Sequence, residues 1–406
     1  MISHISTSDS DGGSAISANR IHENLINRGY DSFLFVGNSK IKKKYTRYLT
    51  YLPWLRKIDR LVDIIFSKFG FQYSFIPSNL FLNTEITYSP IIQLYNIHGG
   101  YFQFSKLLKL SRYSKIIWRL SDYWAMTGHC AYPGICENWK TICANCPDLQ
   151  SYPAIGIDNT KEIWIKKKKI INEIDMQIVV PTKKLFFQVK ESPILKNKKV
   201  HLIPNGVDTF FFKPFKKKIS RSKLKIPNRF SILFISHVAH NNFRKGTHIL
   251  FKIINKLKNN NNIQFIIAGI DSHKWNEYGF KNLVIFDYDM DLEWKRFLYN
   301  SSDIILIPSV NENLPNVLLE AMSCGIPSIS NDSGGINECV NESNGILIKD
   351  MNVNKFVSEI IRLSKNKEEL KNLKKNARKT IAKNFSVDKE IDTYIKIYED
   401  IRKNKL

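Results

Sequence analysis

The chain has 406 residues, 43% of them hydrophobic and 24% charged, which is enough apolar material for two cores and ordinary for a folded protein. No apolar run approaches the ~18 residues of a membrane-spanning helix. Lys and Arg number 61 against 37 Asp and Glu, and the net charge of +24 favours anionic partners. No nucleic-acid module accompanies that charge, so nucleic acid is excluded as a partner. Phosphorylated small molecules and an anionic membrane surface remain, beside the plainer reading of a solvated basic exterior.

Met1-Ile2-Ser3-His4-Ile5-Ser6 reads as a strand rather than a secretory leader, so a cytoplasmic protein is expected. Asp11-Gly12-Gly13-Ser14-Ala15 follows it as a loop and opens a helix over 16–28. Glycines there let the backbone approach an anion at a helix start. Strands are predicted at 32–36, 91–95, 116–120 and 177–181, and the alternation with helical stretches predicts a parallel, helix-covered sheet. Between the first two, Trp54, Ile58, Leu61, Val62, Ile65 and Phe69 recur at helical spacing among Arg56, Lys57, Arg60 and Lys68. Such a helix either packs on its own domain or lies in a membrane interface.

Two polar segments follow strands: Asn96-Ile97-His98-Gly99, and Ser121-Asp122-Tyr123-Trp124. Then come Cys130, Cys136, Cys143 and Cys146 in one loop. In a reducing compartment a cluster of this kind favours a structural zinc over disulfides, with buried free thiols as the alternative.

The pattern resets near Asn205-Gly206-Val207-Asp208. A second series of strands is predicted at 231–235, 264–269, 283–286, 303–308, 328–330 and 345–348. Arg244-Lys245-Gly246 follows its first strand, where fixed cations can meet a leaving diphosphate. The segment from Ile304 to Pro327 reads as buried strand, tight turn, helix and turn. Glu312 stands on the turn, Pro315 at the first helical position and Glu320 inside the helix. Carboxylates accept charge-assisted bonds from sugar and ribose hydroxyls, and a helix N-terminus takes phosphate. A last helix is predicted over 387–401.

The Ile304 to Pro327 block resembles the donor-site signature of retaining glycosyltransferases of family 4, and the resemblance covers nearly the whole chain. It implies an α/β GT-B fold, two Rossmann-like domains facing across a cleft. The domains would be 1–208 on the acceptor side, with the four-cysteine loop 130–146, and 209–385 on the nucleotide-sugar side. A helix over 386–406 would cross back to the first. By the same resemblance Glu320 holds the ribose, and Glu312 with Asn313, Leu314, Asn316 and Val317 holds the sugar and diphosphate. Gly12 and Gly13 match the family's Gly-Gly loop, and Lys245 its Lys-Gly position. An upstream arginine is missing, and Arg244 is the candidate substitute. Asp332-Ser333-Gly334-Gly335 matches the loop that supports the donor pocket.

The first-domain segments resemble the subgroup that builds bacterial exopolysaccharides, including colanic-acid-type transferases. There a histidine precedes the aspartate, and here Ser121 stands in its place. His98 and Asp122 are the remaining catalytic candidates of that domain, beside Lys245 and Glu312. The implied function is transfer of a hexose, with retention, from a UDP- or GDP-linked sugar. The acceptor would be a growing or undecaprenyl-linked saccharide of capsule, exopolysaccharide or lipopolysaccharide. No cofactor is required for catalysis. Ser121 and the missing arginine support an alternative, a degenerate relative that binds nucleotide, glycan or membrane without turnover.

Overall fold

Ile2 and Ile5 are fully buried, as are Leu34 to Val36 and Ile91 and Ile92. Runs of this kind are covered on both faces, which is the condition for a parallel sheet. The computed structural model describes residues 1–40, 43–73, 75–287 and 291–403. They form two units: Met1–Ile203 together with the chain from Ile391 onward, and Pro204–Glu390.

In the first unit the strands are β1 (Ile2–Ser8), β2 (Ser32–Asn38), β3 (Thr46–Tyr48), β4 (Ile91–Leu94), β5 (Lys115–Arg119), β6 (Met176–Val180) and β7 (Lys199–Leu202). Among the described residues they make one parallel sheet in the order β3-β2-β1-β4-β5-β6-β7. The helices are α1 (Gly12–Asn27), α2 (Arg56–Lys68), α3 (Lys106–Leu110), α4 (Thr160–Glu173) and α5 (Lys183–Glu191). β3 and β7 were not legible as strands, because each is a short, half-exposed edge with little apolar content. α1 begins at Gly12, four residues earlier than the expected helix. Gly12 and Gly13 are therefore its first residues, and Gly12 takes φ +84°.

The second unit holds β8 (Phe230–Val238), β9 (Ile263–Ile270), β10 (Leu283–Phe286), β11 (Ile304–Ile307), β12 (Ser328–Asn331) and β13 (Gly345–Ile348). Their order is β10-β9-β8-β11-β12-β13, again parallel. Around them stand α6 (Lys217–Leu224), α7 (Thr247–Leu257), α8 (Leu292–Ser301), α9 (Asn316–Ser323), α10 (Val353–Lys365) and α11 (Lys367–Asn384). The final helix α12 (Val387–Lys403) belongs to the first unit from Ile391. There Asp392 pairs with Arg28, Glu399 accepts from the Tyr30 hydroxyl at 3.0 Å, and Tyr398 bonds Gln93. Of the segment expected over 386–406, residues 404–406 lie outside the described residues.

Each sheet reverses its strand order once, between β1 and β4 and between β8 and β11. Loops diverge at the C-terminal ends of such strands, and the crevice left there is where open α/β sheets bind ligands. Among the described residues no helix is long and apolar enough to cross a membrane.

Candidate functional site

The second unit's reversal point is built from three touching loops. After β8, Asn242 accepts from the Lys245 amide at 3.2 Å and fixes the Arg244–Gly246 turn. Gly246 takes φ +75°, and a Cβ there would stand 1.9 Å from the Pro308 carbonyl oxygen. The Val310 amide donates to the Arg244 carbonyl at 2.9 Å. On the other side, Gly334 takes φ +64°, and a Cβ would meet the Glu312 carbonyl oxygen at 1.6 Å. The Gly335 amide donates to the Asn313 carbonyl at 2.8 Å. Only glycine permits both approaches, so Glu312 is held from two sides.

Glu312 is buried. Lys245 Nζ contacts its Oε1, and Arg244 Nη1 lies 3.7 Å from its Oε2. Burial alone would raise the carboxyl pKa, but Lys245, Arg244 and the Ser309 hydroxyl hold it below the usual range. The Lys245 pKa is lowered by burial, against the pull of Glu312. Two cations share one carboxylate, so the cluster keeps a net positive charge. It lies in sequence just before the start of α9, whose first amides have no partner within the helix.

Pro315 is the N-cap of α9 rather than its first helical residue. Its ψ of 127° is extended, while its carbonyl accepts from the Leu318 amide at 3.1 Å. Glu320 is buried within α9 and does not meet Glu312's cations. Its Oε2 accepts from the Tyr299 hydroxyl at 2.6 Å and pairs with Lys295 Nζ at 2.8 Å, both from α8. Asn205 Nδ2 donates to the Leu314 carbonyl at 2.8 Å and to Asn316 Oδ1 at 3.2 Å. Lys295, Tyr299 and Asn205 were missed in the sequence, where nothing local ties them to the Glu312–Glu320 block.

In the first unit three segments converge at the β1/β4 reversal. The Thr7 and Tyr101 hydroxyls donate to the Asn96 carbonyl at 3.0 and 2.8 Å. Ser14 Oγ, directly after Gly12 and Gly13, accepts from the Asn96 amide at 3.4 Å. Ser121 Oγ lies 3.5 Å from it. His98 and Asp122 are both buried and joined, Nε2 to Oδ2, at 2.8 Å. Asp122 Oδ1 accepts from the Trp124 amide at 3.0 Å, which fixes the carboxylate. The imidazole packs against the Trp124 and Tyr152 rings, and its Nδ1 has no partner among the described residues. That dyad and the Glu312 cluster belong to different units.

Cys130, Cys136, Cys143 and Cys146 are free thiols that line one small pocket with His129. Burial pushes Cys130 up to about 12 and Cys143 up to about 11. Cys146 Sγ turns to His129 Nε2 at 3.3 Å, and the Cys146 amide is tied to Asp158 at 2.7 Å. No group of three or more His, Cys, Asp or Glu among the described residues is arranged to hold a metal ion.

Comparison with known proteins bears on the fold and the family resemblance. Residues 215–380 match the family model for glycosyl transferases group 1. The chain is 22% identical over 378 residues to a protein of Escherichia coli (strain K12) named as a colanic acid biosynthesis glycosyl transferase, WcaC. That match covers 87% of this chain and 88% of the relative. It is 29% identical over 223 residues to an Escherichia coli protein named UDP-Gal:alpha-D-GlcNAc-diphosphoundecaprenol alpha-1,3-galactosyltransferase. Here 51% of this chain and 56% of the relative are covered. Among solved structures, Anabaena Alr3699/HepE in complex with UDP-glucose is similar with a TM-score of 0.67, at 14% identity. The match spans 98% of this chain and 99% of that one. The fold is the GT-B type, two Rossmann-like α/β units in one chain.

Proposed function

We propose, from the premise that the second unit is a glycosyl transferases group 1 domain of a glycosyltransferase, that this chain moves a hexose with retention of configuration from a nucleotide sugar to a saccharide acceptor. The product would be bacterial capsule, exopolysaccharide or lipopolysaccharide. A UDP-linked donor is favoured over a GDP-linked one by the galactosyltransferase's name and by the UDP-glucose complex of the Anabaena protein. The same name supports a lipid-linked acceptor, and the WcaC name supports an exopolysaccharide.

One observation carries the reading: the buried Glu312 shared by Lys245 and Arg244. Breaking a glycosyl–phosphate bond leaves charge on the departing diphosphate. Cations already fixed by a buried carboxylate stabilise that charge without reorganising. In this account Lys245 and Arg244 face the diphosphate and Glu312 aims them. Asn313, Leu314, Asn316 and Val317 present backbone to the donor. Glu320, held by Lys295 and Tyr299, receives the ribose hydroxyls. Gly12 and Gly13 open the loop and helix that follow β1. His98, oriented by Asp122, contacts the sugar or the acceptor hydroxyl. The departing phosphate takes the acceptor proton, so no strong protein base and no metal are needed.

Ser121, where relatives carry histidine, favours a second reading: binding without turnover. Calorimetric titration of UDP and GDP into wild type and Glu320→Gln, with transfer from the corresponding UDP- and GDP-hexoses, separates them. UDP binding lost in the variant, with transfer in wild type, is the expected result. Binding without transfer supports the second reading. Binding of neither nucleotide sinks both.

A further inference from the structure

α4 carries four lysines in a row, Lys166 to Lys169, and on a helix four successive residues point to every side. Lys166 and Lys169 are exposed and Lys168 is half-buried. Lys167 is 2% exposed and stands in the stripe of Ile163, Trp164, Ile170 and Ile171, where the helical spacing calls for an apolar residue. A methionine would fill such a position without desolvating a charge, so the ammonium must be held by polar partners. Its Nζ donates to the Trp124 carbonyl at 2.7 Å and to the Thr127 carbonyl at 3.1 Å. It also lies 3.6 Å from the centre of the Trp124 ring. Burial lowers its pKa to about 7, against the pull of Cys143, Cys130 and Asp122.

Those two carbonyls belong to the turn that follows Asp122. The Met126 and Thr127 amides both donate to the Tyr123 carbonyl, at 2.8 and 3.1 Å, and close that turn. Trp124 is held at each of its polar groups. Its carbonyl receives Lys167, its indole Nε1 donates to Gln72 Oε1 at 3.0 Å, and its amide donates to Asp122 Oδ1 at 3.0 Å. The other carboxylate oxygen, Asp122 Oδ2, meets His98 Nε2 at 2.8 Å. A shift of the Trp124 peptide therefore frees the oxygen opposite the one that orients the imidazole.

We infer that Lys167 is a positioning residue for the His98–Asp122 dyad: its ammonium clamps the 124–127 turn and, through the Trp124 amide, sets the Asp122 carboxylate and with it the His98 imidazole. A cation does here what a packing side chain could not, because one atom ties two carbonyls and a ring face together. Lys167 is buried and acts through Trp124. Its effect on turnover rests on the transferase reading, in which His98 contacts the sugar or the acceptor hydroxyl; the setting of the dyad does not.

The test is Lys167→Met in the full chain, which keeps the length of the side chain and removes the charge and its donors. Steady-state transfer kinetics, UDP calorimetry and the ring-nitrogen NMR resonances of histidine-labelled protein read the result. The kcat should fall about tenfold or more with UDP affinity unchanged, and the His98 resonances should move as they do in Asp122→Asn. His4 and His22, buried in the same unit, should keep their resonances and so report that the unit is folded. In the Asp122→Asn background, Lys167→Met should lower kcat by less than about twofold more, because the route through Asp122 is already lost there. A residue that only packs α4 would add its full loss. Unmoved His98 resonances in the folded variant, or a fully additive loss in the double variant, would overturn the proposal. Lys167→Gln, which keeps a donor without the charge, decides by the same two readings if Lys167→Met leaves the unit unfolded. A wild type that transfers from neither UDP- nor GDP-hexose would remove the transferase reading, and the His98 resonances would then decide the clamp alone.

Discussion

Lys245→Met separates what Lys245 does for the fold from what it does for the reaction. Lys245 is mostly buried against a buried Glu312. Removing one partner of such a pair costs about 3–5 kcal/mol, because the other charge is left uncompensated. Arg244 stays 3.7 Å from the same carboxylate, one-third exposed, so the loss should be nearer 2–3 kcal/mol. On the reaction side, a lost fixed charge at a developing anion costs about 10²–10³ in kcat, or ~3–4 kcal/mol. The discriminating variant is Lys245→Met with Glu312→Leu. An apolar pair in place of a buried ion pair is close to neutral, so stability should return to within about 1 kcal/mol of wild type. Transfer should not return. Urea unfolding and initial rates of sugar transfer read the two quantities separately. If rate recovers along with stability in the double variant, Lys245 is a structural cation and the leaving-group argument is refuted.

Asp122→Asn should lower kcat about 10²-fold with UDP affinity unchanged, since it loosens His98 and belongs to the unit that does not carry Glu312; steady-state kinetics beside calorimetry check this. Gly334→Ala forces a Cβ against the Glu312 carbonyl oxygen at positive φ, so UDP affinity should fall by about tenfold or more, read by calorimetry. His22 is lowered to about 4 by burial first and by Lys43 second. Its unfolded value is near 6.5, so between those values the unfolded chain binds more protons and stability is lost as pH falls. The loss should reach about 3 kcal/mol by pH 4. Urea midpoints at pH 7.5 and 4.5 should show this drop, and His22→Asn should make it smaller.

What was readable in the sequence was readable because the cause is local. The strand–turn–helix around Glu312 announces itself by a buried apolar run, a turn and a helix start within 24 residues. The loop of Gly334 and Gly335 is legible for the same reason. The partners of Glu320 are not, because Tyr299 and Lys295 come from a different helix, and only the packing of α8 on α9 brings them in. Asn205 read as part of a reset between domains, yet its amide fixes the Leu314 carbonyl. The four cysteines were legible as one loop cluster and do line one small pocket, while the His129 and Asp158 contacts of Cys146 come from residues outside the cysteine pattern.

The two reversal points differ in charge in a way that the proposed chemistry requires. At β8/β11 the conspicuous groups are Lys245, Arg244 and Glu312, a preset excess of positive charge. At β1/β4 they are Ser14, Ser121 and the His98–Asp122 dyad, which carries no such excess. A leaving diphosphate gains negative charge during transfer, so its stabiliser must be positive before the reaction begins. An attacking hydroxyl gives up its proton to the departing phosphate, so the group that orients it needs no preset cation cluster. On the first unit Lys57, Arg60 and Lys68 lie along α2 and line a pocket whose walls do not include the dyad.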